Sequence, residues 1–172
     1  VMERYRDRLP SLNDDIQGTG AVVLAGLLAS ARMTHRKLTD ETFVVHGAGA
    51  GGVGVAQQIV NGLLKQGLSQ ADAQARVLVI DSRGLLVEGR EGMEPYKVGV
   101  AQTAARLEGW EFSGSAPDLL ETVRNAKATA LLGLSGQAGA FDQVLVQEVA
   151  ANSPRPIVFP LSNPTANSEA VP

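Results

Sequence analysis

Phe43-Val44-Val45-His46-Gly47-Ala48-Gly49-Ala50-Gly51-Gly52-Val53 sets a short β-branched run against a glycine-rich turn. Behind the turn, Val55, Ile59, Leu63 and Leu64 recur at helical spacing, so Val53 to Gln66 is expected to be a helix. Strand, glycine turn and helix in this order make a candidate phosphate cradle. Gly47 permits the tight turn, Gly49 lets the backbone approach a pyrophosphate, and Gly52 lets the helix pack against the strand. Amide groups at the helix start then face the anion, aided by the helix dipole. Gly47, Gly49, Ala50, Gly51, Gly52 and Val53 are the candidate contacts.

Outward from the turn, strand-like and helix-like runs alternate. Arg76 to Asp81, Thr129 to Gly133 and Pro156 to Pro160 are predicted strands, nearly all apolar, as in a parallel sheet covered on both faces. Helices are expected near Ala116 to Asn125 and Phe141 to Asn152, and over Ile16 to Arg32 behind Asn13, Asp14 and Asp15. Gly84 to Val98 is expected to be an irregular excursion. The fold class is therefore α/β, a doubly wound open parallel sheet of Rossmann type, in one domain over residues 1–172.

Asp81 closes the second strand, where an acidic residue can accept the adenosine ribose hydroxyls. It lies 29 residues beyond Gly52, later than the simplest pattern of about 20. The insert from Lys65 to Gln74 accounts for the delay as an extra turn and a helical extension. Capping the next turn is the alternative role for Asp81.

Composition narrows the function classes. The chain has 172 residues, 44% of them hydrophobic and only 4% aromatic, so the core rests on Val, Leu, Ile and Ala. A net charge of −3 offers no basic surface to nucleic acid or anionic lipid. The absence of cysteine excludes disulfides and thiolate metal sites and fits a cytoplasmic protein, with an organelle left open. Ala21 to Ala31 is about half a membrane span and is expected to be a buried helix.

Four stretches, taken together, resemble the malic enzymes: Asn13-Asp14-Asp15-Ile16-Gln17-Gly18-Thr19-Gly20-Ala21, His46-Gly47-Ala48-Gly49, Asp81-Ser82-Arg83-Gly84-Leu85-Leu86 and Leu161-Ser162-Asn163-Pro164-Thr165-Ala166. They occur in the family's order and at about its separations. Gly133-Leu134-Ser135-Gly136-Gln137-Ala138-Gly139-Ala140-Phe141 is similar to the family's loop beside the cofactor, which makes Ser135 a candidate contact. The resemblance covers nearly the whole chain. It implies oxidative decarboxylation of malate to pyruvate and CO₂ with NAD or NADP and Mg²⁺ or Mn²⁺, the parent protein being a homo-oligomer.

By this resemblance Asp15 matches a metal-ligand aspartate, and Asp14 the carboxylate that contacts the catalytic lysine. On the residues alone, the pair reads as helix capping. Asn163 matches an asparagine that touches substrate near the nicotinamide; alone, it reads as an Asn-Pro turn. Ser82 and Lys97 are consistent with the family's NADP users and tip the cofactor expectation slightly to NADP, while Arg83 and Arg90 could receive a phosphate or neutralise Asp81.

Several family features have no counterpart in this sequence. Glu3 and Asp7 are the only acids ahead of Asp14 and form no recognisable metal motif, and Leu12 stands where the family has phenylalanine. The family's general-base lysine and general-acid tyrosine belong to an earlier domain, for which Tyr5 and Tyr96 are poorly placed. The chain is thus expected to be one domain of a longer enzyme, inactive by itself. A non-catalytic NAD(P)-binding module, a malolactic-type decarboxylase and another Rossmann dehydrogenase are the alternatives.

Overall fold

The structure is a computed structural model that describes Tyr5 and residues 7–171. Asn13 opens the first long element: its side chain accepts a hydrogen bond from the Ile16 amide at 3.2 Å, and its own N–H donates to Gln17 Oε1 at 3.0 Å. A π-helical turn, Asp14–Gly18, follows and runs into α1, Thr19–Met33. The expected helix is therefore two joined elements, and Asn13 alone is the cap. Both aspartates lie in the first turn, where their charge complements the helix dipole.

The central strands are β1 Phe43–His46, β2 Val77–Asp81, β4 Ala130–Gly133 and β5 Ile157–Pro160. They pair in parallel, with Val44 opposite both Leu78 and Leu131. A two-residue strand, β3 Gly84–Leu85, adds an antiparallel edge, giving the order β3-β2-β1-β4-β5. The sheet is thus mostly parallel, not wholly so. The chain reverses through Ser82 and Arg83 and pairs Gly84 back onto Asp81.

Alternation along β1 sends Phe43 and Val45 to one face and Val44 to the other. The first face packs against α1, against α2 Ala50–Lys65 through Val55, Ile59 and Leu63, and against Ala73 of α3 Gln70–Ala75. The second face is covered by Val123 of α5 Leu119–Ala126 and by Leu145 and Val149 of α6 Gln143–Asn152. Each fully buried Leu, Ile or Phe contributes on the order of 1.5–3 kcal/mol. Both faces are buried, which explains the unbroken apolar runs.

The insert before Asp81 forms a turn and a separate short helix, α3, capped by the Ser69 hydroxyl. The excursion after β2 carries β3 and one helical turn, α4 Pro95–Val98. Helix α5 starts later than expected because Asp118 and Glu121 form a reciprocal capping box. From Asp14 to Met33 the chain is long and apolar enough to cross a membrane by length and composition. Here that segment buries Val23, Leu27 and Ala31 in the core.

Candidate cofactor site

At the carboxyl ends of β1 and β4, Gly47 turns at φ +119 and its N–H donates to Ile80 across the sheet. A Cβ at Gly47 would come within 2.7 Å of the Ser135 amide nitrogen, so the turn fits only where there is no side chain. A Cβ at Gly52 would overlap the Gly47 carbonyl oxygen, which is how the helix closes onto the strand. Gly49 differs, with nothing within 4 Å of its hypothetical Cβ. It stands extended as the N-cap of α2, and the helix begins at Ala50, three residues earlier than the periodicity of Val53 to Gln66 implies. Glycines blur hydrophobic periodicity, which is why the first turn is hard to read in sequence.

This early start matters chemically. The N–H groups of Ala50, Gly51 and Gly52 have no carbonyl partner within the helix and gather at its positive end. Just ahead of them, a cleft of about 320 Å³ is lined by His46, Gly47, Ala48, Gly49, Asp81 and Ser135, among others. An open face at Gly49 beside free helix-start amides fits the pyrophosphate of a dinucleotide. Val53 is buried and packs into the core.

Asp81 sits on the rim of that cleft, at the end of β2. Oδ1 accepts from the Arg83 amide at 2.9 Å and from Arg90 Nη1 at 3.1 Å, while Oδ2 accepts from Arg90 Nη2 and from Lys97 Nζ at 3.3 Å. Partial burial pushes the carboxyl pKa up, but the bonds from Arg90, the Arg83 amide and Lys97 outweigh it and hold the group below its ordinary range. Arg90 and Lys97 therefore neutralise the aspartate. Lys97 also pairs with Glu94 at 2.8 Å. The Arg83 guanidinium turns away to the carbonyls of Glu91 and Gly92, and Ser82 is exposed. Tyr96 donates to the Ala48 carbonyl at 3.3 Å, tying the excursion to the glycine turn.

The aspartate pair lies next to the same helix. A Cβ at Gly54 would stand 2.8 Å from the Ile16 carbonyl oxygen, and one at Gly51 would stand 3.5 Å from that of Asp15. Small residues on α2 thus bring the π-helical turn against the cradle. Asp14 and Asp15 are exposed there. Among the described residues no group of three His, Cys, Asp or Glu side chains could hold a metal. Asp7 is exposed and Glu3 lies outside the described residues. One aspartate does not supply the six or so oxygen ligands that Mg²⁺ takes.

Ser135 and Asn163 follow β4 and β5. Asn163 is exposed, joined to Pro164 by a cis peptide bond. Ser135 is tied to a residue that the motifs did not reveal, the fully buried Glu169. Its Oε1 accepts from the Ser135 amide and hydroxyl at 2.7 and 2.8 Å, and from the Ser162 hydroxyl at 2.7 Å. A lone acid among the small residues of Asn167-Ser168-Glu169-Ala170 was the available signal. His46 was also unassigned; it is buried, and its Nδ1 has no hydrogen-bond partner. Burial lowers its pKa, against the opposing pull of Glu169.

Residues 16–172 match the family model described as malic enzyme, NAD binding domain. Over its full length the chain is 41% identical to the NAD-dependent malic enzyme of Edwardsiella ictaluri and spans 30% of it. It is 44% identical to the mitochondrial NAD-dependent malic enzyme of Saccharomyces cerevisiae and spans 25% of that protein. The fold is similar to the crystal structure of an NAD-dependent malic enzyme from Thermotoga maritima, with a TM-score of 0.70 and 24% identity, covering 96% of this chain and 39% of that one. An Entamoeba histolytica malic enzyme gives a TM-score of 0.67 at 23% identity, covering 90% of this chain and 29% of that one. The chain spans about a third or less of the curated relatives it matches. With its mostly parallel sheet and glycine cradle, it belongs to the malic enzyme family as an NAD-binding domain.

Proposed function

We propose that this chain holds NAD for the oxidative decarboxylation of malate to pyruvate and CO₂, the remaining catalytic groups being supplied from outside its 172 residues. The observation that carries the reading is the open face at Gly49, the N-cap of α2, on the same cleft as a neutralised Asp81. Hydride acceptance is the chemistry that the nicotinamide supplies when bound. The helix-start amides hold the pyrophosphate, and Asp81 accepts from the adenosine ribose. All four of its acceptor positions are already engaged, so a ribose hydroxyl replaces the longest contact, the one to Lys97. Asn163 faces the substrate side, past the end of β5, in this reading. Asp14 serves as partner to a catalytic lysine and Asp15 as one metal ligand, with further carboxylates required for Mg²⁺ or Mn²⁺.

The relatives' names support NAD, and so does the pairing of Lys97 with Glu94 at 2.8 Å, which remains when a ribose hydroxyl takes the place of Lys97 on Asp81. NADP, through Ser82 and a released Lys97, is the second reading, favoured by the position of those two residues. The test is pyruvate formation by the full-length protein carrying this chain, with malate, Mn²⁺ and either cofactor. Malate-dependent reduction of NAD with stoichiometric pyruvate supports the proposal. Cofactor binding without pyruvate or CO₂ overturns it.

A further inference from the structure

Glu169 is wholly buried, yet no cation reaches it within ion-pair distance among the described residues. A buried carboxylate without a counter-charge persists only when hydrogen bonds replace its water. Here the Ser135 amide and hydroxyl, the Gly136 amide at 3.2 Å and the Ser162 hydroxyl all donate to Oε1, and the Ser162 amide donates to Oε2 at 3.4 Å. Every donor is neutral. Gly133, at the end of β4, provides the room, since a Cβ there would stand 2.7 Å from Glu169 Cγ. One side chain thus clamps the loop after β4 to the loop after β5.

The place of this clamp is informative. A doubly wound sheet binds a dinucleotide across two mononucleotide halves, and Asp81 marks the β2 side as the adenosine half. The nicotinamide half then belongs to the ends of β4 and β5, whose following loops carry Ser135, Gly136 and Ser162. The oxidised nicotinamide ring carries a positive charge and the reduced ring carries none. A carboxylate shielded from water acts over several ångströms on that difference.

We propose that Glu169 positions the nicotinamide half of the cofactor and that its uncompensated charge biases that half toward the oxidised ring. This rests on the cofactor reading above and extends it from where the dinucleotide binds to which redox form is favoured. A domain that must take up the oxidised form and release the reduced one gains directly from such a bias.

The test is calorimetric titration of the chain with NAD⁺ and with NADH, for the wild type, Glu169→Gln and Ser162→Ala. Glu169→Gln keeps the shape and loses the charge. It is expected to lower the ratio of NADH to NAD⁺ dissociation constants about three- to tenfold, mainly through weaker NAD⁺ binding. Ser162→Ala keeps the charge and loosens the clamp, so it weakens both cofactors and leaves the ratio within about twofold. A folded Glu169→Gln with an unchanged ratio overturns the inference, and so does a Ser162→Ala that changes the ratio equally. If Glu169→Gln does not fold, a Ser135→Ala/Ser162→Ala double variant decides: wild-type affinity for both cofactors overturns the clamp, and loss of both supports it. Wild-type protein that binds neither cofactor overturns the cofactor reading itself, and the inference with it.

Discussion

Arg90 grips Asp81 with two nitrogens, one on each carboxylate oxygen, at the rim of the cofactor cleft. Both side chains are largely buried, with 14% and 11% of their surface exposed. Such a fork fixes the carboxylate plane as well as its charge. Replacing Arg90 with Ala leaves Asp81 desolvated, with Lys97 as its only cation among the described residues. The expected cost is about 1–3 kcal/mol of stability with weaker NAD binding, read by urea unfolding and titration. Lysine at position 90 should restore charge but not the fork, and so recover only part of the affinity.

Removing the carboxylate asks a different question. Asp81→Ala frees the Arg90 fork and leaves Lys97 with Glu94 alone, beside the exposed Ser82. The affinity ratio should move toward NADP by about tenfold or more, because an acid is removed and the Arg90 charge is released where a 2′-phosphate would lie. Parallel titrations with NAD and NADP check this; an unmoved ratio would place the adenosine ribose elsewhere.

The glycine turn separates fold from ligand. Gly52→Ala drives a methyl group into the Gly47 carbonyl and should destabilise the domain by at least about 1–3 kcal/mol. Gly49→Ala meets nothing within 4 Å, so its melting temperature should stay within a few degrees of wild type. Its new methyl group nonetheless stands where the pyrophosphate approaches, and NAD affinity should fall about tenfold or more. Thermal melts and titrations on both variants separate the two effects.

Much of this arrangement was legible in the sequence, and the gaps have physical causes. The strands around Val44, Leu78 and Leu131 stood out because burial on both faces leaves no polar interruption. The start of α2 did not, because Ala50, Gly51 and Gly52 carry too little side chain to show a hydrophobic period. Edge strand β3 was hidden because two residues make no pattern. Asp81 could be named from its place after β2, and Arg90 as a cation able to neutralise it, but that Lys97 joins them while the Arg83 guanidinium turns away is set only by the tertiary path of the excursion. Glu169 is an isolated acid in sequence, and only folding brings Ser135 to it.

His46 gives the structure a pH dependence. Burial holds its folded-state pKa below the ordinary 6.5, so the unfolded chain binds the proton more readily. Its contribution is complete above about pH 7 and is lost as pH falls below the unfolded value toward the folded one. Asp81 and Glu169, with lowered pKa values, lose their contributions only at more acid pH, below the usual carboxylate range. Unfolding free energy should therefore decline between pH 7.5 and 5.5, and His46→Gln should flatten that decline.

In the proposed function the start of α2 cradles the cofactor pyrophosphate. Amide chemical shifts of the ¹⁵N-labelled chain during an NAD⁺ titration test it most directly. Saturable shifts are expected at Gly49, Ala50 and Gly51, absent or much weaker in Gly49→Ala. Saturable binding that leaves those three amides unmoved would contradict it.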